Sequence, residues 1–336
     1  MKGEILQQTD LCTTTGSLSP DAVGWSRWPL HRCNLSGHRL RKKRWNYWAV
    51  QVEHYFFTVG VADLDYAGLG FLCLVDLRKK RVVQRRFSSL RPGRVSLGDH
   101  VHSPAAFRSR RFNFSETHDG NIVTLLANCD HFDGERLSAA IRVIYPENFD
   151  TLGVVVPMDH QHFQYTSKHL ALPVAGRVRI GQREIPFDGI DAFATFDFGR
   201  GVWPRRSAWN WGAASGYVDN VNVGLNLGGK WTDGTGATEN AVFLDGRMVK
   251  IHEDLEWTYN DVDFMQNWKV RAPLSGDVNL LFEPIVERSD HSDRLIVRSR
   301  THQVFGIWSG TIRDEEGRTI EIPYLFGWAE EHRATW

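Results

Sequence analysis

Long apolar runs are missing from this chain. No stretch approaches the roughly 18 consecutive apolar residues that a spanning helix needs, and the first ten residues hold no apolar signal core. An excess of charge of one sign is missing too. Lys plus Arg and Asp plus Glu each total 40, so no overall field draws in nucleic acid or an anionic membrane. A cytoplasmic protein with no nucleic-acid partner and no membrane span is expected. The local basic run Arg39, Arg41, Lys42, Lys43 and Arg44 reads as a solvated loop. Cys12, Cys33, Cys73 and Cys129 form no Cys-x-x-Cys pair, which fits reduced packing thiols rather than a disulfide frame or structural zinc. Also absent are a phosphate loop, a Gly-x-Ser-x-Gly elbow, a His-Glu-x-x-His helix and a strand-linked Gly-x-Gly-x-x-Gly. Nucleotide hydrolysis, serine-type acyl transfer and dinucleotide chemistry lose ground accordingly.

Helical periodicity is also scarce, whereas short β-branched and aromatic runs bounded by Gly, Pro, Asn or Asp recur throughout. Strands are expected across 45–61 (two, or one long and bent), 71–77, 81–87, 111–115, 121–127 and 136–145, then 294–297, 304–308 and 319–322. Asp119-Gly120, Asp133-Gly134, Asp188-Gly189, Asp245-Gly246 and Glu316-Gly317 supply turns between them. Arg177 to Ile180 and Asn220 to Leu227 alternate polar and apolar, which predicts one wet and one buried face. So many antiparallel strands must close into barrels or pack as sandwiches to hide their edges. Over 336 residues that predicts an all-β protein of two linked antiparallel barrels or barrel-like sandwiches with little helix. The composition changes near Gly189 to Phe198, which places the boundary there.

Tryptophan is unevenly spread: none falls between Trp48 and Trp203, and then Trp203, Trp209, Trp211 and Trp231 lie within 29 residues. Strand spacing puts Trp209 and Trp211 on one face and Asn210 on the other. The indoles suit either a ligand wall or a core layer, with arginines such as Arg205 stacking on them or reaching out to solvent. Asp197, between Phe196 and Phe198, is a general acid if its site is dry, or an orienting anion if an arginine pairs with it. Asp233 follows Trp231 closely, and Glu239 stands before the apolar run Ala241 to Leu244, at the start of a strand near a barrel mouth. His100-Val101-His102 and His160-Gln161-His162 lack the carboxylate and third histidine of a metal site, and no metal is expected. His252, two residues after Lys250, is an isolated acid–base candidate.

Several of these pieces together resemble a known family. Gly24-Trp25-Ser26-Arg27-Trp28-Pro29, Lys43 to Trp48, Val61 to Gly68, Phe196 to Gly201, Trp209-Asn210-Trp211, Glu239-Asn240-Ala241, Gln303 to Gly306 and the segment from Gly327 to Trp336 look like the bacterial family called domain of unknown function 2804. That family is similar to calycin-like proteins that include hydroxyneurosporene synthase and tocopherol cyclase. The resemblance implies lipocalin-like barrels over residues 1–190 and 191–336, and proton transfer to carbon–carbon double bonds of isoprenoid chains without an organic cofactor.

Three functions follow. The first is a hydratase, isomerase or cyclase that holds a hydrophobic small molecule in a barrel cavity. There Trp203, Trp209, Asn210, Trp211, Asn226 and Trp231 bind it, Asp197 or Glu239 donates a proton, and Arg205 stabilises the charge partner. The second is a lipocalin-like carrier of the same kind of molecule. The third is a carbohydrate-active protein with paired carboxylates.

Overall fold

The computed structural model describes residues 3–91, 93–293 and 298–335. The expected strand at 294–297 and the terminal Trp336 lie outside the described residues. Among the described residues, every regular element is a strand apart from a single turn of 3-10 helix at Pro20–Ala22.

The first large sheet is antiparallel and curled. Its order runs from Arg81–Ser89 through Gly68–Asp76, Tyr55–Asp63, Lys42–Val52, Ala192–Val202, Phe163–Ile180, Glu135–Ile144, Ile122–Phe132, Phe112–Asp119 and Ala105–Arg108 to Val95–Leu97. Its two ends meet: Phe87 stacks on Phe112 with centroids 5.0 Å apart, and Arg85 reaches the His131 carbonyl at 2.9 Å. The interior is filled by Trp48, Val50, Phe57, Phe107, Phe114, Tyr165, Phe196 and Phe198.

The second sheet runs Arg247–Lys250, Ala241–Leu244, Val221–Gly229, Arg206–Val218, Thr319–Thr335, Arg298–Arg313, Val278–Asp293, Trp268–Arg271 and Glu256–Thr258. Trp257, near its far end, donates to the Gly228 carbonyl at 3.2 Å and ties the sheet back on itself. Trp268, Phe282, Trp308 and Leu325 fill its interior. The chain passes from the first sheet to the second between Val202 and Arg206, some way after the expected change at 190/191. Two curled, calycin-like barrels are thus linked and packed together, as the resemblance implied.

Turn chemistry explains much of the register. At Asp133-Gly134 and Asp245-Gly246 both residues have positive φ (56° and 82°; 48° and 76°), the signature of a tight hairpin whose twist matches its strands. The long strand Phe163–Ile180 carries a bulge between His169 and Leu172, where Ala171 has φ 55°. The bulge bends the strand, so its first half pairs with Leu152–Pro157 and its second with Glu135–Ile144.

Two expectations need correcting. The basic run is a solvated loop only in its first part: Arg39 and Arg41 are exposed in the turn before the strand Lys42–Val52, whereas Lys43 inside that strand is buried with its ammonium on the Leu64 carbonyl and the partly exposed Arg44 pairs with Asp63. Burial pushes the Lys43 ammonium down to about 8. The polar face of Asn220 to Leu227 is not wet, because it packs on the first sheet: Asn226 is fully buried and Asn222 donates to the Ala171 carbonyl at 3.2 Å. The Arg177 to Ile180 face is wet as expected, with Arg177 and Arg179 exposed.

Strand alternation creates a third core between the barrels. Where Trp48, Phe196 and Phe198 point into the first barrel, their neighbours Tyr47 and Asp197 point at the second. Trp211 and Ala213 do the reverse, joining Phe56, Leu170, Phe305 and Trp328 at the junction. Gly199 makes room there, since a Cβ would fall 2.2 Å from the Trp45 ring. Gly199→Ala is expected to destabilise the protein by about 1–3 kcal/mol through overpacking. Urea unfolding checks this, and Trp45→Val in the same chain should return part of the loss.

Candidate functional site

The polar end of the inter-barrel core is built on one ammonium group. In the strand Phe163–Ile180, the even positions Gln164, Thr166 and Lys168 face the second barrel, while Tyr165, Ser167 and His169 face the first interior. Lys168 lies directly opposite Asp197 across the ladder. Its Nζ is 2.9 Å from Asp197 Oδ1 and 3.1 Å from Glu239 Oε2, and it sits 4.4 Å from the centre of the Trp211 ring. All three charged groups are buried, at 4%, 7% and 2% exposure for Lys168, Asp197 and Glu239, so none is hydrated in compensation.

Each carboxylate is also held by an indole. Asp197 accepts from Trp45 Nε1 at 2.9 Å and from the Thr166 hydroxyl at 3.0 Å. Glu239 accepts from Trp231 Nε1 at 2.7 Å, and the buried Glu330 accepts from Trp209 Nε1 at 2.9 Å. Trp203 donates to Gln164 at 2.7 Å. Its ring is the hub of the layer, with the centroids of Trp209 and Trp231 5.6 Å away and that of Trp45 6.0 Å away. The N–H groups of Trp45, Trp209 and Trp231 thus point at the acidic layer, and the rings form a wall over it. Gly228 keeps space for Glu239, whose Cγ lies 2.3 Å from where a Cβ would stand.

Burial, the largest effect, pushes Glu239 above the usual carboxylate range; Asp197 pushes the same way, while Lys168 and Trp231 oppose it. Burial likewise raises Glu330 to about 6. For Lys168, its two carboxylates outweigh burial and raise the ammonium.

The sequence-derived residues therefore separate. Asp197, Glu239, Trp203, Trp209, Trp211 and Trp231 come together, but between the barrels rather than inside a barrel cavity. Asn226 supports them: it accepts from Trp211 Nε1 at 2.9 Å and donates to the Glu239 carbonyl. Asn210 is buried on the opposite face, donating to Tyr259 Oη at 3.2 Å. Arg205 is exposed in the link at 203–205, away from the buried charges. Asp233 is exposed as well. Among the described residues no His, Cys, Asp and Glu cluster suited to a metal occurs.

Lys168, Thr166, Gln164, Trp45 and Glu330 went unread in the sequence. The alternating Gln164, Thr166 and Lys168 of this strand were the available signal, diluted by the polar Ser167 and His169 between and beside them.

Two packed calycin-type barrels joined by a buried charge cluster place the chain in the class of two-barrel, lipocalin-like proteins. It belongs to the family described as domain of unknown function DUF2804, whose model matches residues 2–336. Among solved structures it is similar to a protein described as AttH from Nitrosomonas europaea, at 13% identity and TM-score 0.53, over 87% of this chain and 92% of that one. It is also similar to CghA, in a structure with Sch210972, at 11% identity and TM-score 0.50, over 88% of each chain. No curated protein sequence matches it.

Two outcomes test the electrostatics. Lys168→Met leaves two buried carboxylates uncompensated and should cost about 3–5 kcal/mol in chemical denaturation, with most of it returned when Asp197→Asn and Glu239→Gln are added. The folded Glu330 titrates near 6 against an ordinary 4.5. The folded state therefore binds this proton more tightly, and the resulting stability is complete below about 4.5 and lost as pH rises through about 6. Glu330→Gln should flatten the change in urea midpoint across that window.

Proposed function

We propose that the protein is an enzyme that moves a proton on an apolar small molecule, of hydratase, isomerase or cyclase type, seated against the indole wall between the barrels. The observation that carries this reading is Glu239: a buried carboxyl with a raised pKa, fixed by Trp231 and next to Lys168. A raised pKa moves a carboxyl toward the protonated form that a general acid needs. Asp197, spanned by Trp45, Thr166 and Lys168, orients the ammonium rather than meeting substrate.

The indole faces suit the positive charge that grows on carbon when an alkene is protonated, because the ring quadrupole attracts cations. The acidic layer behind them adds to that attraction. An isoprenoid-like substrate fits this chemistry, and the steps need no organic cofactor.

The carrier reading has less support. A lipocalin-like carrier needs an empty barrel, and both interiors here are filled with side chains. Carbohydrate chemistry has less still, since paired glycosidase carboxylates face each other across a groove, whereas Asp197 and Glu239 share one ammonium.

Native mass spectrometry of freshly purified protein should reveal an apolar ligand. Glu239→Gln should retain it unconverted, with turnover in the wild type lowered at least about 100-fold in the variant, as for loss of a general acid. Normal turnover in Glu239→Gln would remove Glu239 as the acid.

A further inference from the structure

The chain as a whole is neutral, but its charges are unevenly placed. Between positions 85 and 111 stand seven arginines, at 85, 86, 91, 94, 108, 110 and 111, and Asp99 is the only acid. Arg86 pairs with Asp290 at 2.9 Å. Among the described residues the other six have no carboxylate within ion-pair distance. Arg81, Arg179 and Arg318, by contrast, each carry a counter-ion, in Asp133, Glu184 and Asp314.

Strand pairing gathers the six at one end of the first barrel, away from the junction. Arg94 and Arg108 stand opposite each other where Val95–Leu97 meets Ala105–Arg108. The Arg108 N–H donates to the Arg94 carbonyl at 2.9 Å, and Arg94 Nη1 donates back to the Arg108 carbonyl at 3.0 Å. Arg110 and Arg111 occupy the turn into Phe112–Asp119, which the Ser109 N–H closes on the Phe112 carbonyl at 2.9 Å. The Arg111 carbonyl accepts from the Asp130 N–H at 3.0 Å, and Arg85 donates to the carbonyl of the next residue, His131. Ser89 pairs with Gly68, where a Cβ would fall 2.4 Å from Val95, so Leu90 and Arg91 emerge beside the strand that Arg94 precedes. Arg94 is half-buried and the other five arginines are exposed; Asp130 is exposed too and pairs with none of them.

Two features make this end more than a solvated edge. Like charges facing each other across a ladder destabilise a sheet, and here Arg94 and Arg108 do so with no anion between them. Next to Arg91, Leu90 holds its aliphatic side chain 82% exposed. Guanidinium forks match phosphate and carboxylate oxygens two at a time, and an aliphatic tip among cations suits the boundary between headgroups and acyl chains. Single-stranded nucleic acid would ask for exposed aromatic rings on which bases stack. The patch offers none: Phe87 is turned onto Phe112 in the barrel closure.

We infer that this end of the first barrel docks on an anionic membrane surface, with the six arginines on lipid headgroups and Leu90 inserted between them. The chain's overall neutrality does not oppose this, because at physiological salt a charge is felt over only about 8 Å. The inference stands apart from the proton-transfer reading, since docking needs neither Glu239 nor turnover.

Co-sedimentation of the full chain with phosphatidylcholine vesicles, with and without about 30% phosphatidylserine, tests it. The protein should pellet with the anionic vesicles alone, and its affinity should fall at least about ten-fold between about 50 and about 300 mM KCl. Reversing Arg108, Arg110 and Arg111 to Glu together should weaken binding at least about 30-fold, since each cation near such a surface is worth roughly five-fold. Lys79→Glu with Lys80→Glu, in the turn at the other end of the strand Arg81–Ser89, should leave affinity within about two-fold. Leu90→Ser should weaken binding while keeping the salt dependence. Equal pelleting with neutral and anionic vesicles would overturn the proposal, as would wild-type affinity in the folded triple variant. Tighter binding to a single-stranded oligonucleotide than to the anionic vesicles at the same salt would overturn it in favour of a nucleic-acid partner.

Discussion

The contact on which the arrangement turns is the Lys168 ammonium held between Asp197 and Glu239. Asp197 comes from the first sheet and Glu239 from the loop that leads into the second sheet's strand Ala241–Leu244, so one side chain ties the two barrels at a point water does not reach. Buried ion pairs gain little net stability over apolar packing, but breaking one strands a charge. The cluster therefore fixes how the barrels dock more than it strengthens the docking. The apolar remainder of the junction, with Phe56, Phe305, Trp211 and Trp328, supplies the burial.

Everything polar at the junction follows from strand alternation. The same strands that fill the first barrel with Tyr165, Phe196 and Phe198 present Thr166, Lys168 and Asp197 on their other face. Packing one barrel on another buries that second face as well, which explains strands such as Ala192–Val202 that are buried along their whole length. Glycines at 199 and 228 then leave room for an indole and a carboxylate that a larger residue would displace. A site made in this way lies between domains, where ligand pockets commonly occur.

Much of the fold was legible. Turn pairs such as Asp133-Gly134 and Asp245-Gly246 marked hairpins because their backbone requires positive φ. Asp197, Glu239 and the indoles of the Trp203 to Trp231 segment were legible as a group because they lie close in sequence. Lys168 and Trp45 were not: they stand 29 and 152 residues before Asp197 and meet it only through sheet pairing. Lys43 of the basic run and Asn226 of the Asn220 to Leu227 face misled for a shared reason. Each stands in a stretch with the composition of a wet surface, and only packing buries it. Arg205, joined to the cluster by proximity in sequence, was carried out to solvent by the link between the sheets.

The central claim is that the working site lies between the barrels, on the indole wall in front of Glu239. A crystal structure of the protein with its co-purified apolar ligand tests it most directly. The account predicts ligand density against Trp45, Trp203 and Trp231, with the reacting carbon within reach of Glu239. Density inside either barrel, or on an outer face remote from Glu239, would contradict it.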